Sequence, residues 1–223
     1  RGLTASFFIA TGFINGGAMW NDLVIDALRH APAEFDLSAV GLGRYALTDM
    51  PARRRALEIV LGQLKYLELP ERVRRATEIA GLAGRNDRCR PMMTEAQLRK
   101  LAQLGMDIGA HCVRHPILAR LAREEAQREI IESKARLEEI TGRAVRTFAY
   151  PNGRPGTDYG PEHVAMVRAA GFATAVSTAW GAASRGIDRY QIPRVAPWDR
   201  QALKYGLRLV RACSQRSPGT VSA

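Results

Sequence analysis

The sequence predicts an α/β fold with a mainly parallel sheet. Three observations predict it. Short β-branched or aromatic runs alternate with longer stretches of helical spacing. Most of these runs end at Gly, Pro or Asn, the residues of turns and loops. The order strand, loop, helix, strand recurs, and right-handed crossovers then lay successive strands parallel. An α/β barrel and an open α/β sheet both satisfy that order.

The elements follow in turn. "LTASFFIATGF" (3–13) reads as a buried strand that breaks at Gly12, and "AMWNDLVIDALRH" (18–30) has helical spacing through Met19, Leu23, Ile25 and Leu28. Residues 37–47 read as a short strand or a loop. "PARRRALEIVLGQLKYL" (51–67) is a helix with proline in its first turn, followed by a second helix over 70–80 and a polar loop over 81–92. "MTEAQLRKLAQLG" (93–105) is a helix with Thr94 as N-cap, Gln97 three residues on and Gly105 at its stop. "MDIGAH" reads as a strand, and 118–141 as one long helix with Leu118, Ala122, Ala126, Ile130, Leu137 and Ile140 on a single face. "RTFAYP" (146–151) is a strand, Pro161 to Ala170 a helix stopped by Gly171, and "FATAVST" (172–178) a strand. Residues 201–223 are expected to be a C-terminal helix and a disordered tail.

The length of 223 residues suits one domain with a real core, and 46% hydrophobic with 25% charged residues places it among globular proteins. No apolar run is long enough to cross a bilayer, and these residues hold no basic segment followed by an apolar one of signal-peptide type. Net charge is +11, from 29 arginines and 4 lysines against 22 acidic residues. The arginines are scattered: "ARRRA" (52–56) and "ERVRRA" (71–76) lie in helical patterns beside Glu58, Glu71 and Glu78. They read as solvated helix faces, and no nucleic-acid partner is expected. Cys89, Cys112 and Cys213 are odd in number and match no zinc-ribbon spacing.

Two of the four histidines fall in "MDIGAHCVRHPIL" (106–118), where an apolar run stops at Gly109. In parallel α/β folds functional groups collect at the carboxyl ends of strands. If the backbone turns helically here, His111 and His115 share a face and can bind one divalent ion. Pro116 fixes the geometry behind them. His163 lies inside a helical pattern and is expected at the surface. His30, at a helix end before Ala31 and Pro32, reads as a C-terminal cap.

The segments "ASFFIATGFI" (5–14), "DIGAHCVRHPIL" (107–118), "FAYPNGRPG" (148–156), "VRAAGFATAVST" (167–178) and "YQIPRV" (190–195) occur in this order. Together they resemble the polysaccharide deacetylases of the NodB-homology family, carbohydrate esterase family four, over about residues 3–198. The resemblance implies a deformed (β/α) barrel over 1–200, with 15–92 as a helical insertion shaping the sugar groove. It implies a hydrolase acting on carbon–nitrogen, non-peptide bonds, which removes N- or O-acetyl groups from a polysaccharide or oligosaccharide. Chitooligosaccharide, peptidoglycan and exopolysaccharide all fit as substrates. Zinc or another divalent metal is implied as cofactor, and the cell envelope or exterior as location.

Carried over by position, the resemblance makes His111 and His115 the metal ligands. Pro151 and Asn152 fall on the motif whose backbone N–H holds the oxyanion. An aromatic residue is frequent in the family where this chain has Asn152, and an arginine where it has Ala149. Arg194 is the candidate replacement for that arginine. Tyr150, Pro151 and Trp198 are substrate-binding candidates, with Trp180 a further aromatic able to stack on sugar. The family's first motif, an aspartate pair supplying the general base and the third metal ligand, lies before the "ASFFIATGF" strand. The third ligand is therefore not expected in this chain, nor is the late histidine that serves as general acid. The sequence is expected to be N-terminally truncated, short of the barrel's first strand, and inactive or impaired. A non-catalytic carbohydrate-binding or scaffold protein on the same fold is the alternative.

Overall fold

The structure, a computed structural model, describes residues 2–85, 91–196, 198–214 and 219–222. Cys89, part of the polar 81–92 loop, and residues 215–218 and 223 of the expected tail lie outside them. The elements in chain order are β1 (Ser6–Ile9), α1 (Trp20–His30), β2 (Glu34–Asp36), β3 (Arg44–Ala46), α2 (Met50–Leu64), α3 (Leu69–Leu82) and α4 (Glu95–Gln103). There follow β4 (Asp107–Ala110), α5 (Arg123–Thr141), β5 (Thr147–Ala149), α6 (Pro161–Ala169), β6 (Thr174–Trp180), β7 (Ile192–Arg194) and α7 (Ala202–Ser214). No helix among the described residues is long and apolar enough to cross a membrane.

The chain divides into two compact units, Phe13–Thr94 on one hand and Arg1–Gly12 with Glu95–Ala223 on the other. In the first, α1 packs on α2 and α3. Val24, Ala27 and Leu28 of α1 meet Ala56, Val60 and Leu64 of α2 and Ala76 and Ile79 of α3 in one buried cluster. The spacing of these residues is the helical one, which is why their burial follows from their positions. Asp49 caps α2, accepting from the Ala52 N–H at 2.6 Å. The Asn15 N–H donates to the Met93 carbonyl at 2.9 Å and ties the ends of this unit together.

Two features here differ from expectation. Residues 34–46 form an antiparallel hairpin, β2 with β3, of three residues each. Such short strands carry too little alternation to be seen in sequence. The left-handed φ of Gly41 and Gly43, 74° and 77°, turns the chain between them. Arg72, expected on a solvated face, is only 2% exposed. It donates to the Lys65 carbonyl at 2.6 Å, and its guanidinium lies 5.2 Å from the centroid of the Trp20 ring. Arg74 and Arg75 stay at the surface, bonded to Glu71 and Glu78.

The second unit holds a five-stranded parallel sheet in the order β1-β4-β5-β6-β7. Gly109 is not the end of a run; it sits inside β4, opposite Phe8 of β1. A Cβ there would come within 2.5 Å of the Phe8 ring and 2.6 Å of Thr147 Oγ1, so only glycine lets these side chains close over the strand. Phe148 of β5 is fully buried, its ring 5.2 Å from those of Tyr150 and Phe172. The single helix expected over 118–141 is split. Leu118–Arg120 form one 3-10 turn held by the Ala119 N–H on the Asp158 carbonyl, Ala122 is extended, and α5 starts at Arg123. The tail is ordered at Val221, which exchanges two hydrogen bonds with the buried Gln191 at 2.8 and 2.9 Å.

His163 is also internal, at 3% exposure. Its Nδ1 accepts from the Gly160 N–H at 2.9 Å and caps α6, and the ring's other nitrogen bonds the Leu118 carbonyl. Burial lowers its pKa below 6.5, aided by Arg123 and opposed by Glu162 and by the two backbone bonds. A histidine held neutral in the fold stabilises fully above its unfolded pKa, and this contribution is lost as pH falls below about 6.5. The melting temperature is therefore expected to drop between pH 7 and pH 5, and His163→Gln is expected to flatten that drop. Gly109→Ala is expected to cost about 1–3 kcal/mol in urea unfolding at pH 7, because the Phe8 ring and Thr147 must both give way.

Candidate active site

The site begins where β4 ends. The His111 N–H still bonds the Ile9 carbonyl of β1 at 3.1 Å. Beyond it the chain leaves the sheet in a loop that is not helical. Cys112 and His115 both adopt left-handed backbone conformations, φ 63° and 55°, which non-glycine residues rarely do. This double reversal brings the rings of His111 and His115 together, centroids 4.7 Å apart and planes at 74°. The expected convergence is thus achieved by a strained loop and not by a shared helical face.

Several bonds hold that strain. The Thr11 and Gly12 N–H groups donate to the Cys112 and Val113 carbonyls at 3.1 and 2.9 Å. Any Cβ at Gly12 would meet the Val113 oxygen at 2.9 Å, so glycine is needed for this approach. From the other side comes Glu129 of α5, 3% exposed. Its Oε2 accepts from the Val113 and Arg114 N–H groups at 2.8 and 2.9 Å, and its Oε1 from Arg114 Nε at 2.5 Å. Pro116, Ile117 and Leu118 then bury the exit of the loop. Cys112, wholly buried with Glu129 nearby, has its thiol pushed well above the usual range and stays protonated.

The tautomer of His111 is decided by β5. Its Nδ1 lies 2.6 Å from the Ala149 carbonyl, which can only accept, so Nδ1 carries the proton and Nε2 the lone pair. Burial above all, then the neighbouring His115, pushes the His111 pKa down to about 3. The Ala149 bond opposes this and the Arg194 charge adds to it. The ring is neutral at any physiological pH, as a metal ligand must be.

The strand ends beside it supply the remaining candidates. Asn152 follows β5 with φ 58°, and Gly153 with φ 75°. Thr178 of β6 fixes this turn, its Oγ1 donating to the Asn152 carbonyl at 2.8 Å and its N–H to the Gly153 carbonyl at 2.9 Å. The Asn152 N–H makes no hydrogen bond among the described residues. Arg194, the last residue of β7, donates from Nε to the Ser177 carbonyl at 2.7 Å. It forms no ion pair among the described residues, so the role of orienting a carboxylate has no partner there.

The aromatic candidates separate. Tyr150 is 1% exposed, stacked on Tyr159 at 3.9 Å, and its hydroxyl donates to the Tyr190 carbonyl at 3.0 Å. That corrects the expectation of sugar contact, since no face of the ring is open. Pro151 is likewise buried. Trp198 is 81% exposed and free to stack. Among the described residues no group of three or more His, Cys, Asp or Glu is placed to hold a metal ion. Glu129 was missed in the sequence, although one sign was present: a carboxylate between Ala126 and Ile130 on the apolar stripe of α5.

Glu129→Ala strands two backbone amides and is expected to cost about 2–3 kcal/mol in unfolding free energy, with Glu129→Gln costing less. In the metal-free protein, the ring nitrogen shifts of His111 and His115 are expected to change in Glu129→Ala. Unchanged shifts would mean that the loop keeps its shape without the carboxylate.

Residues 75–175 match the family model described as polysaccharide deacetylase. YxkH of Bacillus subtilis (strain 168), provisionally named a polysaccharide deacetylase, is 31% identical over 103 residues, covering 46% of this chain and 36% of its own length. The chain thus spans little more than a third of that relative. Among solved structures, the Streptococcus pyogenes deacetylase PplD in complex with acetate has 25% identity and a TM-score of 0.44, over 47% of this chain and 44% of its own. IcaB from Ammonifex degensii has 19% identity and a TM-score of 0.45, over 54% of this chain and 53% of its own. Residues 75–175, which hold the paired histidines and the FAYPNG turn, are thus similar to the polysaccharide deacetylase family.

Proposed function

We propose that the site at the carboxyl ends of β4 to β7 hydrolyses acetyl groups on a polysaccharide, with a divalent ion, zinc in the first instance, held by His111 and His115. The observation that carries this reading is the convergence of two imidazoles, one with its tautomer dictated by the Ala149 carbonyl and its neutral state by burial. Two imidazole nitrogens fit two positions of a catalytic zinc site, which normally has three protein ligands. When bound, such an ion supplies Lewis acidity towards the acetyl carbonyl and water.

The chain's own residues do the rest. His111 offers Nε2 and is kept from rotating by its Nδ1 bond. The Asn152 N–H, in the turn held by Thr178, is the donor for the oxyanion that forms as the acetyl carbon becomes tetrahedral. The Arg194 guanidinium adds positive charge beside that oxygen. Trp198 offers an open face for a sugar ring. Substrates include acetylated chitooligosaccharide and peptidoglycan.

A second reading is favoured by one observation, that no third ligand joins the histidines among the described residues. On that reading the chain binds acetylated polysaccharide without turning it over. Acetate release from acetylated chitooligosaccharide, measured with zinc and with chelator, separates the two. The first reading expects release that falls at least about a hundredfold in His111→Ala and His115→Ala. Release unaffected by chelator and by both substitutions would overturn it. Saturable oligosaccharide binding with no release would establish the second.

A further inference from the structure

Beyond the histidine pair, the same end of the sheet carries a basic cleft. It has a volume of about 850 Å³ and lies between Trp180, at the end of β6, and α7, with Asp199, Lys204, Leu207, Arg208 and Arg211 on its walls. Asp199 is bonded to Arg208 through both carboxylate oxygens, one at 3.3 Å. Lys204 and Arg211 have no ion-pair partner among the described residues, so the cleft is net positive. The Trp180 indole N–H is buried and has no acceptor among the described residues. An indole nitrogen is a donor only, and leaving it unmet costs free energy.

The cleft neighbours the site along β6. Trp180 pairs in register with Arg194. It lies two residues along β6 from Thr178, the residue that holds the Asn152 turn, or roughly 7 Å at strand spacing. We propose that this cleft is a subsite for a carboxylate-bearing sugar of the substrate chain. Lys204 and Arg211 pair with the carboxylate, and the Trp180 ring forms the opposing wall. The proposal rests on the polysaccharide reading above in taking a saccharide as the ligand, and it makes that saccharide anionic.

Leu203, Leu207 and Val210 also form an exposed apolar stripe on α7, which a lipid surface would match. The concave wall favours the sugar, because a saccharide unit enters a cleft that a flat lipid surface only covers. The test is equilibrium binding to the full chain of two probes, a hyaluronan hexasaccharide, in which every second sugar is a uronate, and neutral chitohexaose. Hyaluronan is expected to bind more tightly, and to lose most of that advantage at about 0.3 M salt. Lys204→Gln with Arg211→Gln is expected to weaken hyaluronan binding about tenfold. Chitohexaose affinity is expected to stay unchanged in the double variant. The double variant is expected to melt as the parent does.

Equal affinity for the two probes, or no loss in the double variant, would overturn the proposal. So would binding to phosphatidylglycerol vesicles with no binding of either oligosaccharide. His111→Ala is expected to leave hyaluronan binding intact, which keeps the two readings apart. Charge-selective binding without acetate release defeats the deacetylase reading alone. Acetate release without charge selectivity defeats the subsite alone.

Discussion

The carboxylate of Glu129 is the interaction on which the rest of the site depends. A buried carboxylate must be met by donors, and here two backbone amides and a guanidinium converge on it. In meeting them it sets the path of the chain between His111 and His115. Its position is itself dictated by α5, which buries Ala126, Ile130, Leu137 and Ile140 against the core and ends at the left-handed Gly142, φ 65°. The packing of an ordinary amphipathic helix is thereby converted into the placement of two imidazoles.

The loop so held is under strain. Cys112, His115 and Asn152 all have positive φ, at a cost of order 1–3 kcal/mol each. They cluster at the ends of β4 and β5, where the candidate site lies. The compensating bonds come from three directions: Thr11 and Gly12 after β1, Glu129 from α5, and Thr178 from β6. Glycine appears where backbone must touch backbone, at position 12, and where side chains must close over a strand, at 109. Small residues and strained ones thus serve one purpose, a fixed pair of rings that needs little rearrangement to receive a ligand.

Charge is distributed with equal economy. Many of the arginines are matched locally: Arg74 and Arg75 by Glu71, Arg85 by Asp26, Arg99 and Arg136 by Glu95, Arg114 by Glu125 and Glu129. The exposed pairs among these add little stability. They do quench the field of a chain carrying a net +11. Among the described residues, Arg194, Lys204 and Arg211 are without an ion pair. Their charge lies on the β6, β7 and α7 side of the sheet, a placement that composition alone does not give.

Periodicity in the sequence was sufficient for the helices and most strands, because each buries one face and that face repeats at 3.6 or 2 residues. The His111–His115 pair and its Pro116 were legible as a motif, and so was the family that the segment resembles. The hairpin 34–46 was not, since three-residue strands carry no period, and neither was the break at Ala122, which a distant carbonyl on Asp158 enforces. Burial reversed the expected places of Arg72, Tyr150 and His163. Each has a polar end whose partner lies elsewhere in the chain or across a turn, and hydropathy cannot see that partner. The residue types at the site were thus determined by the sequence alone. How the two rings meet was decided by tertiary structure, because a left-handed residue and a buried carboxylate are stable only when other elements supply their hydrogen bonds.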